Sequence, residues 1–89
     1  MKKDEINWDD VSFVKSGKHR KRILELLDKP RTPTEIKDKT GLHFNAVSRA
    51  VIELEDKSLV VCLTPKMKHN RLYQITDKGK KVLDKMKEL

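Results

Sequence analysis

The stretch from Thr32 to Gly41 leaves this chain little freedom in how it folds. Thr32 can accept a hydrogen bond from the backbone N–H three residues on, and Glu35 can reach back to Thr32, which makes a capping box. Pro33 falls at the first helical position, where its missing N–H costs nothing. Ile36 is the apolar anchor of a short helix. Gly41 ends it, because glycine adopts the left-handed backbone of a helix stop. Leu42 plugs the turn, and a second helix runs from about 43 to 57. Val47, Val51 and Leu54, with Ala50 between, mark one buried stripe. The opposite face begins with Phe44, Asn45, Ser48, Arg49 and Ile52 and has no acid until Glu53.

Two short helices across a tight turn read as a helix-turn-helix. A helix that enters the major groove offers its N-terminal residues to base edges, and residues 43–57 have such a face. Leu59 to Leu63 follows as a strand by its β-branched content, with Val60, Val61 and Cys62 inside it. Thr64 to Asn70 is a polar, basic loop, and the alternation in Arg71 to Thr76 predicts the return strand. A basic-tipped hairpin directly after a recognition helix is a wing, here residues 64–71.

The remaining segments supply core. Residues 17–29 read as a helix, with Ser16 as cap and Pro30 as stop. Ile23, Leu24, Leu26 and Leu27 form its apolar face, and Lys18, Arg20, Lys21 and Arg22 lie mostly outside. Residues 1–5 are charged and read as loose. Ile6, Trp8, Val11, Phe13 and Val14 come next; Trp8, Val11 and Val14 share a helical face, whereas Val11 and Phe13 share a strand face. The reading leans to a short helix or turn. Asp77 to Leu89 is a last helix capped by Thr76, with Val82, Leu83, Met86 and Leu89 as its stripe. The stripes at Trp8–Val14 and Val82–Leu89 look unclaimed by the core, which predicts a homodimer.

Eighty-nine residues suit one domain with a small core. The formal net charge of +7 fits an anionic partner. Residues 64–76 hold Lys66, Lys68 and Arg71 and no acid, a local +3. Lysine richness for solubility alone gives a similar total, so charge only supports the motif. The single Cys62 cannot form an internal disulfide, which predicts a reducing, cytoplasmic setting. No apolar run is long enough for a membrane span, and no signal-peptide pattern is present. Cys62, His19, His43 and His69 lack metal-ligand spacing, and a lone Cys beside valines reads as core. No nucleophile, carboxylate pair or Gly-rich loop suggests catalysis. The expectation is a non-enzyme with no metal and no cofactor.

The pieces ILELL at 23–27, TPTEI at 32–36, TGL at 40–42, AVSRAVIELE at 46–55, LVVCLTP at 59–65 and RLYQITDKG at 71–79 occur in a specific order. In that order the chain resembles the winged helix-turn-helix transcription regulators of the ArsR/MarR type, most closely the small archaeal ones. The resemblance covers roughly residues 18–80. It implies a mainly α fold with a small β-hairpin: a three-helix core, a wing and a C-terminal helix, with residues 1–15 as an extension. It places Phe44, Asn45, Ser48 and Arg49 at the major groove. It places Lys66, Lys68, His69 and Arg71 where the wing meets phosphate or the minor groove. Lys37 stands where the family usually has alanine, so it must loosen the helix contact or snorkel outward. Ser58 stands where glycine is usual, which matters if its φ is positive.

Each residue keeps a plainer alternative. Arg49 can meet guanine O6 and N7, a phosphate, or Glu53 on its own helix. Asn45 can pair with adenine or help to cap the helix start. Ser48 suits a phosphate or water-mediated contact. Phe44 can touch a thymine methyl or fold onto Leu42. Lys66, Lys68 and Arg71 suit phosphates, or an ordinary solvated turn. Lys18, Arg20, Lys21, Arg22 and Arg31 can extend the phosphate footprint or form a plain solvated face. The expected function is sequence-specific binding of double-stranded DNA in transcription regulation. The alternative is a protein-interaction or architectural chromatin module, to which Glu53, Glu55 and Asp56 lend weight. No effector pocket can be read from so small a chain.

Overall fold

The capping box forms as expected. Glu35 N–H donates to Thr32 Oγ1 at 3.2 Å, and Thr32 N–H donates to Glu35 Oε1 at 2.8 Å. A computed structural model describes residues 8–88 of the chain. Residues 1–7, which include Ile6 and the start expected to be loose, and Leu89 of the last stripe lie outside the described residues. In chain order the elements are α1 (Trp8–Ser16), α2 (Arg20–Leu26), α3 (Pro33–Thr40), α4 (Phe44–Asp56), β1 (Val60–Cys62), β2 (Tyr73–Ile75) and α5 (Asp77–Lys87).

Helix α3 ends where glycine allows it. Gly41 takes φ 74°, and its N–H donates to Lys37 O at 2.8 Å. Helix α4 starts at His43, which caps without a side-chain hydrogen bond. It buries Val47, Ala50, Val51 and Leu54 against α2 and α3. Its end is a Schellman turn: Ser58 N–H reaches Glu55 O, and Leu59 N–H reaches Leu54 O. Ser58 holds φ 63° there. The departure from glycine therefore falls on a left-handed residue, where a Cβ is unfavourable. Lys37 resolves by pointing outward, with Nζ 3.7 Å from Asp38 Oδ1.

Two expectations about α2 are corrected. Ser16 does not cap it; α1 runs through Ser16, whose hydroxyl donates to Phe13 O. Pro30 does not stop it either. The helix ends at Leu26 because its last carbonyls are claimed elsewhere. Arg31 Nε donates to Leu26 O, and Ile75 N–H donates to Leu27 O. Arg31 then pairs with Tyr73 through both backbone bonds, an isolated third strand segment missed in the sequence.

β1 and β2 are antiparallel, with Val60 opposite Ile75 and Cys62 opposite Tyr73. Both strands are shorter than their predicted ranges. Val60, Tyr73 and Ile75 face the core, and Val61 faces out. Leu63 N–H donates to Leu72 O at 2.7 Å, so the hairpin continues past the regular ladder.

Of the segment read as an N-terminal extension, the described part adds Val11 and Val14 to the core. α1 is a helix, with Asp9 and Asp10 in its first turn and Lys15 in its last, complementing the helix dipole. Val11 and Val14 are buried with Ile23, Leu24 and Val82. Leu83 and Met86 of α5 pack against the same cluster. The two stripes read as unclaimed are thus largely covered within the chain, and they no longer argue for a second copy. Trp8 remains 55% exposed, with Lys85 Nζ over its ring. Asp10 is buried at 3% exposure. Its Oδ2 accepts no hydrogen bond among the described residues, but Lys78 Nζ stands 3.3 Å away as its counter-charge. Lys78 also donates to Lys57 O, which ties α5 to the end of α4.

Thr76 caps α5 by accepting from Gly79 N–H at 3.1 Å. Gly79 serves as neither a helix stop nor a turn. It is buried in the first turn of α5, and a Cβ there would collide with the Leu59 carbonyl and the Ile75 side chain. The small residue lets α5 lie close on the hairpin's base.

Candidate nucleic-acid interface

The outward face of α4 and the hairpin enclose a cleft of about 390 Å³. Pro33 and Thr34 of α3 close one end, and Phe44, Ser48, Ile52 and Glu55 of α4 form one wall. Lys68, His69 and Arg71 form the facing wall. Of the residues proposed from the sequence for DNA contact, Phe44, Ser48, Lys68, His69 and Arg71 line this one cleft. Asn45, Arg49 and Lys66 do not line it; they are exposed beside it.

Helical geometry explains the split. Phe44, Ser48, Ile52 and Glu55 recur at intervals of three and four and so share the side turned to the hairpin. Asn45 and Arg49 are four apart on the neighbouring side, which is turned to solvent and away from Val47, Val51 and Leu54. The Asn45 side chain makes no hydrogen bond among the described residues, so the capping alternative is not realised. Phe44 is 46% exposed and lies outside the core cluster, so it does not fold away as core. Arg49 does not pair with Glu53. Arg20 of α2 takes that carboxylate, Nη2 to Oε1, at 3.1 Å.

The hairpin tip is held by its own chain. Thr64 Oγ1 accepts from Leu72 N–H, and Met67 N–H donates to Thr64 O. Asn70 adopts φ 55°, a left-handed position that asparagine tolerates. Arg71 Nε donates to Met67 O at 2.6 Å, so part of its guanidinium is spent on shaping the tip. Lys66, Lys68 and His69 are exposed and have no partner among the described residues. Tyr73, opposite Cys62 at the tip-side end of the regular ladder, is 5% exposed. Burial pushes its hydroxyl above the usual phenol range, against the pull of the neighbouring Arg71.

Sequence reasoning put Ile52 on the outward face of α4 but missed Thr34 and Glu55 as cleft residues. Thr34 reads from the sequence only as part of the α3 start, and Glu55 only as a late acid. Their placement depends on where the hairpin folds back, which no local pattern encodes. The footprint ascribed to the first helix also shrinks. Arg20 is used inside the protein, and Arg31 is half-buried against α2; Lys18, Lys21 and Arg22 remain exposed.

Residues 8–89 match the sequence model of a family described as the HVO_A0261 N-terminal domain. No curated protein matches the sequence. Among solved structures, a transcriptional regulator of the MarR family from Rhodococcus sp. RHA1 superposes with a TM-score of 0.70 over 89% of this chain, at 23% identity. This chain spans 59% of that regulator's length. The likeness establishes a winged-helix fold.

Proposed function

The chain belongs to the family of the HVO_A0261 N-terminal domain, and on that footing we propose that it binds double-stranded DNA as a transcription regulator. The observation that carries the reading is the unpaired state of the N-terminal half of α4. Asn45 and Arg49 are exposed without intramolecular partners among the described residues, and Lys68, His69 and Arg71 face Ser48 across a cleft. A groove-reading helix needs such free donors, and a flanking hairpin needs cations for the phosphates. The Rhodococcus neighbour is a transcriptional regulator, which is consistent with this role.

In this reading α4 enters the major groove. Asn45 and Arg49 meet base edges, because both are long enough and carry paired donor or acceptor atoms. Ser48 is short and sits in the cleft, so it meets phosphate or water. Lys66 and Lys68 meet the flanking backbone, His69 lies along the same edge, and Arg71 shapes the tip as much as it contacts DNA. Phe44 offers an apolar edge to a thymine methyl.

Selection of bound sequences from a random duplex pool tests this reading. An enriched motif is expected. A two-fold motif with half-sites about one turn (~34 Å) apart identifies a homodimer. A single asymmetric motif identifies a monomer. Retention of the pool without enrichment identifies an architectural, sequence-independent binder. No retention at low salt favours the docking alternative, which Glu55 in the cleft and exposed Asp56 support.

A further inference from the structure

Arg20 joins three helices. Its guanidinium lies over the Phe13 ring, 3.8 Å from the centroid. Nη1 donates to Phe13 O and to Ser16 Oγ at the end of α1. Nη2 donates to Glu53 Oε1 in the C-terminal part of α4. The Arg20 side chain is 19% exposed and that of Glu53 is 39% exposed. An ion pair this close to water adds little stability. Its effect is on which cation Glu53 can hold.

Glu53 lies four residues after Arg49 on the same helix, within side-chain reach. Left alone, the carboxylate is a ready partner for that guanidinium. With Arg20 holding Glu53, the Arg49 side chain has no hydrogen bond or ion pair among the described residues. We infer that Arg20 is a positioning residue for DNA binding: by holding Glu53 it keeps Arg49 free for the duplex. This inference rests on the DNA-binding reading above. It also explains how an acid is accommodated beside the reading face, since a bare carboxylate there would repel phosphate.

Lys57 is the rival. It follows Glu53 by four residues, in the orientation that favours such a pair. Its Nζ instead lies 5.3 Å from the Phe13 centroid, beside the same ring that Arg20 covers. Removal of Arg20 therefore sets Arg49 and Lys57 in competition for Glu53.

The test compares Arg20→Met, Glu53→Gln and the double variant. Binding to a fluorescent random-sequence duplex is read at low salt, with thermal unfolding alongside. The Arg49 Nε–H resonance is followed by NMR without DNA. Arg20→Met is expected to weaken binding by about two- to fivefold, the scale of one partly exposed ion pair. Adding Glu53→Gln should restore the affinity but not the melting temperature, because the Phe13 contacts stay lost. The Arg49 resonance should shift in Arg20→Met and return in the double variant. A double variant that binds as poorly as Arg20→Met overturns the inference and makes Arg20 a packing residue. Unchanged binding in Arg20→Met, with Lys57 on Glu53, overturns it as well. If the unaltered protein ignores duplex DNA, the functional reading falls. An Arg49 resonance identical in the unaltered protein and Arg20→Met overturns the pairing independently of any DNA.

Discussion

Ser58 holds a left-handed backbone at φ 63° because the Schellman turn after α4 requires it. A non-glycine residue there costs roughly 1–2 kcal/mol. Glycine removes that cost but gains roughly 0.5–1 kcal/mol of unfolded-chain entropy. The relief is the larger effect. Ser58→Gly should therefore raise stability by up to about 1 kcal/mol in urea unfolding, and Ser58→Val should lower it by more than that. Equal stability of the two variants contradicts the account of the turn. At this scale the sequence was legible wherever partners are close along the chain. Thr32, Glu35, Gly41 and Thr76 are examples, since the cap each one forms lies within four residues of it. Arg20 was not legible: Phe13 lies on the preceding helix and Glu53 is far along the chain, and the three meet only after α1, α2 and α4 have packed.

Elements were legible by type and less so by length. α3 and α4 fall within a residue or so of their predicted limits, because capping and a strong apolar stripe fix both. α2 is shorter than its pattern, because Ile75 and Arg31 take its last carbonyls. The pairing of Arg31 with Tyr73 lies in a proline-flanked stretch with no periodicity to announce it. The wing is visible in the sequence as two β-rich runs around a basic loop, and its tip carries the clearest test of an element. Lys66 and Lys68 are exposed and unpartnered among the described residues, so their cations are available to phosphate. Replacing both with glutamine should weaken binding to every duplex sequence alike. It should also reduce the log–log salt slope by up to about 0.9 per lost contact. An unchanged slope removes the wing from the interface.

For the whole molecule, hydropathy patterning identifies which faces are apolar but not what covers them. The stripes of α1 and α5 look in sequence like surfaces for a second copy and instead meet around Val11, Val14 and Val82. Gly79 helps to make this possible by letting α5 lie close to Leu59 and Ile75. α1 and α5 are thus committed to the core, while the exposed donors of α4 and the hairpin cations lie around the cleft. The central claim is that duplex DNA lies across that side. Amide NMR shift mapping during titration with a short duplex tests it most directly. The account predicts shifts concentrated at 43–52 and 64–71. Shifts concentrated in α1 and α5, or none at low salt, would contradict it.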